Sequence, residues 1–124
     1  MKKNFLMVSG FSGATAVALG AFAAHGLKEI LSDDQLKIFH TGVEYHFYHT
    51  FALFAVVFLS ERIHNKMINF SAWLFTAGII LFSGSLYLLA TLPYLNWIGI
   101  ITPIGGLCFI LGWLFVAFAA IKSN

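Results

Sequence analysis

"TGVEYHFYHTFALFAVVFLS", residues 41–60, is the stretch on which the architecture turns. Its second half is nearly unbroken Phe, Leu, Val and Ala, as the interior of a bilayer demands, but its entrance holds Glu44, two tyrosines and two histidines. If the stretch crosses a membrane, the chain makes four crossings and both ends lie on one side.

The composition favours the crossing. The chain has 124 residues, of which 60% are hydrophobic, 17% aromatic and 10% charged, with a mean hydropathy of +0.87. A soluble domain carries about 25% charged residues. A hydrocarbon core about 30 Å thick takes roughly 20 residues per helix, so a chain of this length accommodates about four spans and no soluble domain. The expected fold is an all-α membrane protein: a four-helix bundle with spans at about 4–24, 42–60, 70–92 and 97–121, forming a single transmembrane domain. The short connections 61–69 and 93–96 imply antiparallel neighbours.

The longer connection, 25–41, contains "SDDQ" at 32–35, the pattern of a capping box with Ser32 as N-cap and Gln35 reaching back. Asp33 and Lys37 add an i,i+4 pair. A short surface helix is therefore expected between spans one and two, entering the bilayer near Gly42, where the glycine either kinks the helix or admits a neighbour.

Orientation follows from the basic residues. Lys2, Lys3, Arg62, Lys66 and Lys122 share one side, which places both termini in the cytoplasm by the positive-inside rule. A rival reading takes residues 1–26 as a secretory signal peptide cut near Ala23. Against it stand the length of the apolar run and the small residues Gly10, Gly13, Ala16, Gly20 and Ala24, which recur at the spacing of a closely packed helix face.

The candidate site lies in the outer half of the bilayer. At 100° per residue Tyr45, His46 and His49 fall in one sector, and Glu44 falls with His40 and Tyr48 in another. At similar depth come Ser85 and Thr102, with His25 ending span one on the same side, while Thr76, Ser83 and Tyr87 form a stripe on span three. Gly84 offers a point of close helix approach. The inner half is almost wholly apolar.

The expected polar cluster is thus His25, Tyr45, His49, Ser83, Ser85, Tyr87 and Thr102, with Glu44 and His46 at its edge. His46 and His49, three apart, could point at one metal ion, although two ligands from one helix make half a site. Taken one at a time, most of these residues have plain structural readings: Ser and Thr bond their own helix, and Tyr94 and Trp97 belong to an interfacial belt. Cys108 is small packing volume. His49 differs, because an ionisable group deep in an apolar run needs a partner.

"GAFAAHGL" (20–27), "TGVEYHFYHT" (41–50), "LFSGSLYLLA" (81–90) and "TPIGGLCFILGW" (102–113) together resemble a family of small four-span bacterial membrane proteins of unknown function, grouped with eukaryotic transmembrane protein 256. The resemblance spans most of the chain. It implies a bacterial plasma-membrane protein with an intact first span, matches Tyr45 and His49, and brings no established activity. The resemblance also implies that the position of His46 can be filled by something else in other members of that family, which favours His25 and His49 as the core and as the ligands of any metal.

Several functions are excluded or disfavoured. No HExxH, CxxC, glycine-rich phosphate loop or serine nucleophile elbow is present, which points away from the familiar enzyme classes. A net charge of +2 without a dense basic run argues against nucleic acid as a partner. Three readings remain, in this order: a structural or assembly protein that forms a homo-oligomer or binds other membrane proteins among the membrane lipids; a small cation or proton transporter with a histidine-lined outer vestibule; and a protein binding haem, a quinone or a lipid headgroup.

Overall fold

The structure, a computed structural model, describes residues 2–123 and is helical, with no strand among the described residues. The chain runs α1 (Lys2–His25), α2 (Asp33–Leu59), α3 (Lys66–Gly78), α4 (Gly84–Thr91) and α5 (Ile101–Ile121). A π turn, Ile79–Ser83, joins α3 to α4 in one continuous rod, and a 3-10 segment, Asn96–Ile100, leads straight into α5. Three of the resulting rods, Lys2–Glu29, Lys66–Thr91 and Asn96–Ile121, are long and apolar enough to cross a membrane. The remaining rod, α2, has 27 residues, but its first half carries Asp33, Asp34, Lys37 and Glu44.

The helix expected to begin at the Ser32 capping box does begin there, as the first part of α2 and not as a separate element. The only helical turn between α1 and α2 among the described residues is the 3-10 turn Leu27–Glu29, and α2 runs without a break from Asp33 through Gly42 to Leu59. Its start follows from the capping box: Ser32 Oγ accepts the Gln35 amide and the Gln35 side chain accepts the Ser32 amide. Once nucleated there, the helix meets no proline that could stop it. Ser32→Ala is expected to cost about 1 kcal/mol of local stability, measurable as faster hydrogen exchange in the first turn of α2.

Helix α1 lies antiparallel to α2 and packs against it through small residues. Ser9, Ala16 and Ala23 are buried, and Gly13 and Gly20 on the same face are half-buried. Gly10 and Ala24, expected on this face, are exposed instead. Gly20 faces the Val43 side chain and Gly13 the Thr50 side chain, so the register between the two helices is defined.

Helix α5 packs chiefly on α3 and the π turn, and glycines make this approach possible. A methyl group on Gly112 would come within 2.6 Å of the Phe75 ring, one on Gly78 would meet the Phe109 ring, and one on Gly105 would meet the backbone of Phe82. Gly84, expected to be a close-approach point, has open space around it. Pro103 falls in the first turn of α5, where proline is tolerated.

Two apolar clusters hold the rods together. One gathers Phe5, Leu53, Val56, Ile68, Phe75 and Phe109 around the end where α1 begins, and the other joins Ala23, Leu27, Phe39, Val43 and Ala90 at the opposite end. A polar layer lies between them, built around two histidines of α2.

Candidate functional site

Helix α2 presents His46 and His49 toward different neighbours. His46 is 4% exposed and turns toward α1 and α4, whereas His49, 5% exposed, turns toward α5. The one sector that the sequence assigns to both is split by the helices packed on either side of it.

The hydrogen bonds around His46 determine where each proton resides. Thr50 Oγ1 donates to the His46 carbonyl at 2.7 Å, which uses its only proton. Ser12 Oγ, 2.7 Å from Thr50 Oγ1, is therefore the donor in that pair. With its proton committed, Ser12 Oγ accepts from His46 Nε2 at 3.0 Å. His46 Nδ1 is left as the acceptor for the Tyr87 hydroxyl at 2.8 Å. The chain Tyr87, His46, Ser12, Thr50 thus runs in one direction across α4, α2 and α1, with His46 as the neutral Nε2–H tautomer.

The same logic applied to His49 gives the opposite tautomer. Its Nδ1 lies 2.8 Å from the Tyr45 carbonyl and must donate, while its Nε2 accepts the Trp113 indole N–H at 3.2 Å. The ring is stacked on Phe109, with centroids 3.5 Å apart and planes inclined by 9°. Phe75 and Tyr45 flank it at 5.7 and 6.0 Å. An imidazole enclosed in this way has no nitrogen left for a ligand.

Two further polar contacts tie the third rod to its neighbours. Ser83, buried in the π turn, donates to the Gly42 carbonyl at 2.8 Å, and the Tyr87 ring lies against Gly42, where a Cβ would come within 2.9 Å of it. Close approach rather than a kink is therefore what Gly42 provides. Ser85 donates to the Phe82 carbonyl, so Thr102, 2.6 Å away, donates to Ser85 and links α5 to α4.

The predicted residues thus separate into groups. Tyr45, His49, Ser83, Ser85, Tyr87 and Thr102 all lie in or beside the polar layer, but Ser85 and Thr102 form a pair of their own. Tyr45 is 39% exposed and contributes its carbonyl and its ring face, which sits 4.8 Å from Phe82. Glu44 is exposed, as are His40 and His64.

His25 and His46 exchange their expected places. His25 is exposed at the end of α1. The α1–α2 register sets it level with residue 38 and sets His49 level with residue 14, so the two histidines are roughly 16 Å apart along the helix axis. His46, expected at the edge, is the centre of the longest hydrogen-bond chain. Neither the His25/His49 pair nor the His46/His49 pair converges on one point, and no group of three or more metal-ligating side chains occurs among the described residues.

Sequence reasoning missed Ser12, Thr50, Phe109 and Trp113. A signal existed for Thr50, which follows His46 by four residues and so shares its face. Ser12 was masked by the small residues around it, and Trp113 by the abundance of aromatic residues. One buried polar atom stands outside every network: Ser71 Oγ has no partner among the described residues. Ser71→Ala is expected to leave stability unchanged or to raise it by up to about 1 kcal/mol, read from thermal unfolding of the purified protein.

A family profile described as "Protein of unknown function (DUF423)" matches residues 19–106, which include most of this layer. The chain belongs to the DUF423 family. This DUF423 protein is 43% identical over 121 residues to the UPF0382 membrane protein YwdK of Bacillus subtilis, a match covering 97% of the chain and 98% of that relative. It is 48% identical over 126 residues to a UPF0382 membrane protein of Haemophilus influenzae, covering 100% and 98%. The UPF0382 inner membrane protein YgdD of Escherichia coli is 35% identical over 123 residues, covering 98% and 93%. No solved structure matches the chain. It is therefore an integral membrane protein with apolar helical spans, of a family of unknown function.

Proposed function

We propose that this DUF423 protein is a structural or assembly element of the bacterial plasma membrane, a four-span bundle that associates with a second copy of itself or with other membrane proteins. The observation that carries this reading is the closure of the polar layer: all four ring nitrogens of His46 and His49 bond to groups of the same chain. Such a layer fixes the register of the helices and holds nothing else. In this reading α2 is the second span, its polar first half reaching out of the bilayer. The lysines at 2, 3, 66 and 122 with Arg62 then mark the cytoplasmic side, and both termini lie there. Helices α1 and α5 expose Phe11, Val17, Phe22, Leu107, Ile110 and Leu114, apolar flanks suited to lipid or to a partner helix.

A second reading, a small proton or cation carrier, has one observation in its favour. His46 borders a groove of about 350 Å³ between α1 and the third rod, lined also by Ser12, Thr15 and Thr76. A one-directional hydrogen-bond chain beside such a groove offers a proton route. Liposome reconstitution separates the two readings. The assembly reading expects no pH-driven flux, the same null result with His46→Ala, and defined oligomers or retained protein partners after crosslinking in membranes. A flux that His46→Ala abolishes would replace it with the carrier.

A further inference from the structure

The strongest unassigned feature lies away from the histidines, at the end of the molecule where α1 and α3 begin and α2 ends. There a cleft of about 630 Å³ opens between the helices, lined by Lys2, Lys3, His64, Asn65, Lys66 and Asn69. Among the described residues its lining holds three lysines and no carboxylate, and Glu61, in the same connection, is not part of it. Asn65 Oδ1 caps α3 by accepting the Met67 amide, which leaves the Asn65 NH2 as a donor. Immediately beneath, a narrow crevice between the same helices turns apolar, with Phe5, Val56, Val57 and Ala72 on its walls.

We propose that this cleft binds the phosphate of an anionic phospholipid headgroup. Three ammonium groups and two carboxamides around an open cavity match a phosphate, which takes several donors and carries a full negative charge. The cleft sits where the apolar lengths of the rods end, the depth at which a bilayer presents its phosphates. The connection above it, 60–65, is too short to enclose a soluble nucleotide. The crevice below is too narrow for an acyl chain, so the headgroup alone is held and the chains stay in the bilayer. This assignment does not depend on the assembly reading, since it involves neither histidine of the polar layer.

The test is native mass spectrometry of the full chain in detergent, titrated with phosphatidylglycerol or with phosphatidylcholine of the same acyl chains. Phosphatidylglycerol is expected to bind more tightly. The K2Q/K66Q variant is expected to weaken it roughly thirty-fold, because each lysine near anionic lipid contributes several-fold. The charge-matched K28Q/K37Q variant, altered at the other end of the molecule, is expected to bind as the parent does. All four lysines are exposed, so both variants should fold, as melting temperatures will verify. Asn69→Leu, which leaves the charge unchanged, should also weaken binding, and excess inorganic phosphate should compete. Equal binding of the two lipids, or equal losses in the two double variants, would overturn the proposal. So would binding of inorganic phosphate with no preference for phosphatidylglycerol, which would make the cleft a site for soluble anions.

Discussion

Gly105→Ala is expected to destabilise the protein by about 3 kcal/mol, the upper part of the range for overpacking a tight core. The added methyl group would meet the Phe82 backbone, with the Phe82 Cα 2.7 Å away and the Leu81 carbonyl carbon at 2.8 Å. A main chain in the middle of a rod cannot rotate out of the way as a side chain can, so α5 has to move off the π turn. Gly112→Ala would press on the Phe75 ring and Gly78→Ala on the Phe109 ring, and both should cost less because rings can shift. Gly10→Ala and Gly84→Ala meet nothing within 4 Å and should cost nothing, alanine being the better helix former. Thermal unfolding of these variants in one detergent checks the order. Equal effects at 84 and 105 would contradict the packing of α5 on the π turn.

His46→Ala carries the second large effect, a loss of about 3 kcal/mol. Interhelical hydrogen bonds in membranes average about 0.6 kcal/mol and reach about 1.7, and this substitution removes two and leaves a buried cavity. The Tyr87 hydroxyl and Ser12 lose their partner together. Tyr87→Phe removes one bond and should cost about 1 kcal/mol. The double variant should cost less than the sum of the two, since they share a bond. His25→Ala and His40→Ala, both at exposed positions, should stay within about 0.5 kcal/mol of the parent. A loss at His25 equal to that at His46 would return His25 to the core of the site.

The residues that determine this layer were only partly legible in the sequence. The apolar runs, the Ser32 capping box and the burial of His49 are local properties, and each could be read from its own segment. Which histidine of α1 or α2 meets which neighbour depends on how two helices slide past each other. That offset is set by where α1 ends and by the 3-10 turn at 27–29, neither of which leaves a periodic signal. The π turn is the other hidden element. The Gly84 amide bonds to the Ile79 carbonyl, five residues back, so the rod gains a residue in that turn and α4 is rotated by about 100° relative to α3. Thr76, on the near side, bonds its own helix at the Ala72 carbonyl and faces the groove beside α1. Ser83 and Tyr87 turn instead to Gly42 and His46, and the stripe expected of all three residues does not form. Glycines show the same limit: Gly84 and Gly105 look alike as letters, and only the position of the neighbouring rod distinguishes them.

Both buried histidines are locked as neutral rings by bonds within the chain. The most direct measurement is nitrogen NMR of the protein labelled with 15N-histidine and reconstituted in lipid at neutral pH, with His46 and His49 assigned by substitution. Two different tautomers are expected, His46 with its proton on Nε2 and His49 with its proton on Nδ1. The same tautomer at both sites, or an imidazolium or a metal-bound nitrogen at either, would contradict that assignment.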